Sequence, residues 1–159
     1  MRNSNSSGAA DLDFWFGNPG DQPFAGDWTG NGVDTPGQYR RSDGRVYLRL
    51  TNTQGIADIW FFFGNPGDRP VPGDTNGDGK DTVSIYRPNE QRFYIINRLG
   101  SNGGGLGNAE YFFSFGNLGD VPVVGDFDGD GIDTVGVYRS GSWYLRNSNS
   151  SGAHDLFYS

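Results

Sequence analysis

The sequence predicts an all-β fold built of small antiparallel sheets, and three observations carry that expectation. No stretch shows apolar residues at helical spacing, whereas short alternating runs such as Thr134-Val135-Gly136-Val137-Tyr138-Arg139 have the two-residue period of a strand. Gly 27 and Pro 8 punctuate the chain, and its acids are 17 Asp against 2 Glu, a bias toward turns and metal loops rather than helices. The hexad Phe16-Gly17-Asn18-Pro19-Gly20-Asp21 returns as Phe63 to Asp68 and as Phe115-Gly116-Asn117-Leu118-Gly119-Asp120, at offsets of 47 and 52 residues, the repeat length of a propeller blade.

Each repeat reads in the same order. A short apolar strand closes on Gly-Asp, as in Val121-Pro122-Val123-Val124-Gly125-Asp126, and an acidic loop follows. An alternating second strand leads through a tight turn, Ser140-Gly141 in the last repeat, into a third strand. That third strand is Arg45 to Arg49, Arg92 to Ile96, or Ser142 to Arg146. A polar loop rich in Asn, Ser and Gly then reaches an aromatic fourth strand, Asp58 to Phe63 or Glu110 to Phe115. Aromatics make up 15% of the chain, enough for a core in which residues such as Trp60 and Trp143 pack between neighbouring sheets. The expected units are a strand at 9–16 completing a blade, then blades at 22–63, 69–115 and 121–158 within one repeat domain spanning 1–159.

The acidic loops carry the candidate chemistry. In Asp126-Phe127-Asp128-Gly129-Asp130-Gly131-Ile132-Asp133, carboxylates at alternate positions on a tight turn converge on one point. Gathered carboxylates repel unless a hard cation sits among them, and dense oxygen ligands suit Ca2+. The candidate metal positions are Asp126, Asp128, Asp130, Ile132 and Asp133 in the third loop, with Asp74, Asn76, Asp78, Lys80 and Asp81 in the second. The first loop offers Asp27, Thr29 and Asn31, too little charge to hold an ion, and is expected to be a turn held by hydrogen bonds. For all three, the competing reading is a plain Asp-Gly turn.

Composition narrows the function. A net charge of -7 repels nucleic-acid phosphates and suits an extracellular or calcium-rich setting. With Cys 0, disulfide frameworks and thiolate metal sites are excluded. No apolar run approaches the roughly 18 residues of a membrane-spanning helix, and Met1-Arg2-Asn3-Ser4 opens no signal peptide, so a trimmed leader or a longer parent chain is expected. No catalytic motif is present, and the single histidine, His154, lies beside Asp155 in a segment that repeats the N-terminus, so an enzyme is not expected.

The Phe-Gly hexads, the Gly-Asp strand ends and the Asp-x-Asp-Gly-Asp-Gly loop resemble FG-GAP or VCBS-type repeats over residues 9 to 158. The resemblance implies integrin-like β-propeller blades of four antiparallel strands with calcium in the loop between the first two. In that family the last acidic ligand usually stands ninth in the loop, whereas Asp34, Asp81 and Asp133 stand eighth. Three blades fall short of the four to eight that close a propeller. Arg2 to Ala9 repeats as Arg146 to Ala153, so the expected assembly is a homodimer of six blades in which an N-terminal strand serves another copy, the alternative being a piece of a longer array. Two functions fit: a non-enzymatic, calcium-stabilised scaffold for adhesion or protein interaction, and a carbohydrate-binding propeller or accessory module of a polysaccharide-acting enzyme. In either case ligands would meet the loops at 52–57, 98–108 and 148–153.

Overall fold

A computed structural model describes all 159 residues. Twelve strands form three separate four-stranded antiparallel sheets, and there is no helix. Sheet one contains β1 (Gln22–Gly26), β2 (Thr35–Arg40), β3 (Arg45–Leu48) and β4 (Ile59–Phe62). Sheet two contains β5 (Arg69–Gly73), β6 (Thr82–Arg87), β7 (Arg92–Ile95) and β8 (Tyr111–Ser114). Sheet three contains β9 (Val121–Gly125), β10 (Thr134–Arg139), β11 (Ser142–Leu145) and β12 (Leu156–Tyr158). In every sheet the strands lie in chain order, each paired with the next, an arrangement compatible with propeller blades.

Because side chains alternate across a strand, each sheet has two faces to bury, and its neighbours cover them. Between sheets one and two, Tyr39, Val46, Leu48, Phe61 and Phe63 meet Val83, Ile85 and Ile96. Between sheets two and three, Val71, Tyr86, Phe93, Ile95, Phe113 and Phe115 meet Val135 and Val137. Sheet two is covered on both faces, and β6 accordingly reads Val83-Ser84-Ile85-Tyr86, buried throughout. Trp28 is also core, with its indole N–H donating to the Thr35 carbonyl.

The connectors carry the most repetitive chemistry. Asp21, Asp68 and Asp120, each the last residue of a hexad, have almost fully buried carboxylates. Each takes a forked pair of hydrogen bonds from an arginine 19 residues later: Arg40 at 2.9 and 2.8 Å, Arg87 at 2.9 and 2.9 Å, Arg139 at 2.7 and 2.7 Å. One oxygen also accepts the N–H of Asn18, Asn65 or Asn117. Each guanidinium lies over a tyrosine of the next strand, Tyr47, Tyr94 or Tyr144, at 4.5 to 4.8 Å from the ring centre. Gly64 allows the chain to close on this site. Its φ is 92°, and a Cβ there would lie 2.7 Å from the Tyr39 hydroxyl and 2.8 Å from Ile85 Cδ1.

Residues 9–16 pair with none of the twelve strands, so the strand expected there to complete a blade has no partner strand within the chain. One expectation needs correction. Trp143 is not core: it is 42% exposed on the outer face of sheet three, where no fourth sheet covers it. The loop at 98–108 is not a free tip. Its Gly104 accepts the Phe62 N–H at 2.9 Å, its Leu106 N–H returns to the Phe62 carbonyl at 2.9 Å, and Asn102 accepts the Trp60 N–H at 2.8 Å. The loop thereby occupies the unpaired edge of β4, which would otherwise offer a template for another strand.

The Asp–Arg forks predict a sharp asymmetry. Asp68→Ala leaves Arg87 and the Asn65 N–H without their acceptor in a buried connector and should cost about 3 kcal/mol in urea unfolding. Removal of an exposed pair such as Arg98 with Glu110 should cost under about 1 kcal/mol.

Candidate metal centre

The three acidic loops join β1 to β2, β5 to β6 and β9 to β10, all on one edge of the row of sheets. Their first residue acts in the same way in each. The Asp126 carboxylate accepts the N–H groups of Gly129, Asp130 and Gly131 at 2.7, 3.2 and 3.0 Å. Asp74 accepts those of Gly77, Asp78 and Gly79 at 2.8, 3.1 and 2.7 Å, and Asp27 those of Gly30, Asn31 and Gly32 at 2.8, 3.1 and 2.6 Å. The backbone can fold this tightly because glycines take positive φ at the fourth and sixth positions, as at Gly129 (83°) and Gly131 (86°). These amides hold the Asp126 carboxyl below the usual carboxylate range, with the Gly131 N–H contributing most.

The third loop has the richest donor set. Carboxylate oxygens of Asp126, Asp128 and Asp130 all lie within 4.8 Å of one another and face solvent. Oxygens on opposite sides of a Ca2+ ion, at about 2.3 to 2.6 Å each, span about that distance. Three hard anionic donors on a preorganised turn therefore fit a calcium-sized cation better than a soft or strictly octahedral one. In the second loop Asn76 replaces one carboxylate and donates its amide to Asp78 at 3.0 Å. In the first, the hydroxyl of Thr29 donates to Asp27 at 3.3 Å, leaving one carboxylate at the alternate positions.

The structure places the seventh and eighth loop residues at the joints between sheets. The Asp81 carboxylate accepts the Asp27 N–H of sheet one at 2.7 Å, and the Asp81 N–H donates to the Asp27 carbonyl at 2.9 Å. Asp133 repeats both bonds on Asp74 of sheet two, at 2.9 and 2.8 Å. A Cβ on Gly30 would lie 2.9 Å from Lys80 Cγ, and one on Gly77 would lie 3.1 Å from Ile132 Cγ1. The Lys80 and Ile132 side chains thus rest on the preceding loop, where neither supplies an oxygen, and Asp81 and Asp133 point across a joint rather than into their own turn. Burial, followed by repulsion from nearby carboxylates, raises both acids above the ordinary range despite those bonds: Asp133, Asp34 and Asp74 act on Asp81, and Asp74 and Asp126 on Asp133. His154 lies away from these loops, edge-on to Tyr144, with Asp155 paired to Arg146.

Sequence reasoning passed over the buried Asp–Arg forks, although a constant spacing of 19 residues from the hexad Asp to a strand-ending Arg was available as a signal.

Two opposite shifts predict a stability maximum in mildly acidic solution when metal is chelated. Asp81 and Asp133 have raised folded values, so their contribution is fully present below the unfolded value of about 4 and is lost as pH rises through the folded one. Asp21 and Asp120 have lowered values. For Asp21 the Arg40 hydrogen bonds dominate; for Asp120 burial opposes ionisation but is outweighed by Arg139 and the Asn117 N–H. Their contribution is present above about pH 4 and is lost as pH falls through the folded value. Urea midpoints in EDTA should rise from pH 7 toward the carboxylate range and then fall, and Asp81→Asn with Asp133→Asn should flatten the rise. No family model, curated protein or solved structure matches this chain.

Proposed function

We propose that the chain is a non-enzymatic, calcium-stabilised β-propeller scaffold of FG-GAP or VCBS type, used outside the cell for adhesion or protein interaction. The observation that carries this reading is the convergence of Asp126, Asp128 and Asp130 within 4.8 Å on a loop that recurs in every sheet. In this reading the ion neutralises the third loop and the second loop holds a weaker one. Each sheet is a blade, and two copies make six. The acidic surface disfavours nucleic acid as a partner, and no helix is long and apolar enough to cross a membrane.

A carbohydrate-binding propeller is the second reading. It is favoured by the cleft between sheets two and three, whose lining includes the polar side chains of Gln91, Asn117 and His154. A glycan array separates it from a protein scaffold.

The calcium reading is tested by thermal melting in EDTA and in excess Ca2+. An ion at about 100 times its Kd, bound only by the folded state, adds about 2.7 kcal/mol, equivalent to several degrees for a chain of this size. Asp128→Ala should abolish most of that difference, since the Asp128 carboxylate supplies charge and holds no backbone N–H of the turn; Asp130→Ala should do the same while also releasing the Ile132 N–H that Asp130 accepts at 2.8 Å, and Asn31→Ala should leave the difference unchanged. Superimposed melting curves for the wild type in the two conditions would refute the calcium reading.

A further inference from the structure

The two ends of the row of sheets present complementary halves of the same joint. In each internal joint the leading sheet buries an apolar cluster built on its second, third and fourth strands: Tyr39, Val46 and Phe61 in sheet one, Tyr86, Phe93 and Phe113 in sheet two. The corresponding residues of sheet three, by the same strand register, are Tyr138, Trp143 and Tyr158, and they are 37%, 42% and 56% exposed. The following sheet answers with two side chains from its second strand, Val83 and Ile85 or Val135 and Val137. Sheet one has Pro36 and Gln38 at those places.

The polar part of the joint is also split between the ends. Asp81 and Asp133 hook the first loop residue of the preceding sheet, Asp27 and Asp74. Asp34, at the same loop position in sheet one, is exposed and hooks nothing, while the corresponding donor in sheet three, the Asp126 N–H, meets no such carboxylate.

The N-terminal segment shows how sheet one receives a preceding sheet. Gln38 donates to the Phe16 carbonyl at 3.2 Å, and a Cβ on Gly17 would lie 2.7 Å from Gln38, as one on Gly64 would meet Ile85 and one on Gly116 would meet Val137. The loop from Arg2 to Asp11 has the hydrogen bonds of the loop from Arg146 to Asp155: Arg2 reaches Ser4, Ser6 and Ala9 as Arg146 reaches Ser148, Ser150 and Ala153, and Asp11 and Asp155 accept the N–H of Asn3 and Asn147. Residues 1–16 thus carry the loop and edge segment of a preceding sheet, and none of β1 to β12 pairs with them. Phe14 and Phe16 stand where Phe61 and Phe63 do, and a cleft of about 200 Å3 remains between them, Pro36 and Gln38.

From this we infer that the partner of both ends is a second copy of the chain, with sheet three of one copy docked head-to-tail on sheet one of the other and the N-terminal strand of the receiver pairing with β11 of the incoming sheet in place of β12. Tyr138 and Trp143 then fill the cleft, Asp34 hooks the Asp126 N–H, and a two-fold axis closes both joints at once. The inference deepens the homodimer reading given above and rests on it.

Sedimentation of the chain, with one variant at each end of the row of sheets, tests it. The wild type should sediment at about twice its 17.3 kDa. Trp143→Glu on one end and Pro36→Glu on the other should each give monomers with unchanged circular dichroism. Mixing the two variants should restore a dimer, because one unaltered joint reforms between them. A cysteine-free chain also permits a clean cross-link: Trp15→Cys with Ser142→Cys, which the third-to-fourth strand register of the other sheets places opposite each other, should give covalent dimers with a short bismaleimide. A monomeric wild type would overturn both the dimer and the joint. A wild-type dimer that survives either glutamate variant, or variants that fail to complement on mixing, would overturn the joint while leaving a dimer of another geometry. A dimer that yields no covalent product would overturn the strand exchange.

Discussion

The structure depends on a carboxylate that cannot be left alone. Asp21, Asp68 and Asp120 are buried in connectors too irregular to satisfy themselves by a strand ladder, and a desolvated carboxylate without partners would not be tolerated there. Each is answered by a guanidinium fork and a main-chain N–H, and the guanidinium is braced by a tyrosine of the following strand. The site therefore ties three things at once: the end of one sheet, the start of the next, and the turn between its second and third strands. Because it repeats at the same place in each sheet, the angle at which one sheet follows another is set by a rigid contact rather than by apolar packing alone.

With the connectors fixed, the remaining terms are additive along the row. Sheet two has neighbours on both sides and is the most deeply buried, whereas sheets one and three each have one covered face. Such a row behaves as a quasi-one-dimensional array whose stability is a sum of sheet and joint contributions. Exposed aromatics at Tyr138, Trp143 and Tyr158 follow from this order, since the same strand positions that are core in the middle become surface at the end.

Strand positions, loop positions and the acidic cluster were legible in the sequence because each depends on local periodicity. A two-residue alternation makes a strand wherever it occurs, and alternate acids on a Gly-rich turn converge without outside help. The joints were less legible. Whether Asp133 faces its own loop or Asp74 depends on where the neighbouring sheet lies, and no spacing within one repeat encodes that. The assignment of Trp143 to the core had the same weakness, for its periodicity is right but its neighbour is absent. The pairing of the 98–108 loop with β4 was not legible either, because the loop has the composition of a solvent-facing segment. Its glycines instead allow close backbone approach to the neighbouring sheet: a Cβ on Gly100 would lie 2.4 Å from that of Phe61.

The same logic separates the turn-forming residue of each acidic loop from the positions that follow it. If the first Asp existed only to bind metal, it would have little reason to persist in the first loop, where Thr29 and Asn31 supply no further charge. Yet Asp27 gathers the same fan of amides as Asp74 and Asp126. Its role is to fold the turn and so to present the Asp27 N–H and carbonyl to the hook from Asp81. Charge at the third and fifth positions is then an addition to a turn that already stands. It is greatest in the third loop, whose first-residue N–H has no hook from a sheet of the same chain, and a cation gathered by Asp128 and Asp130 would add to the turn there.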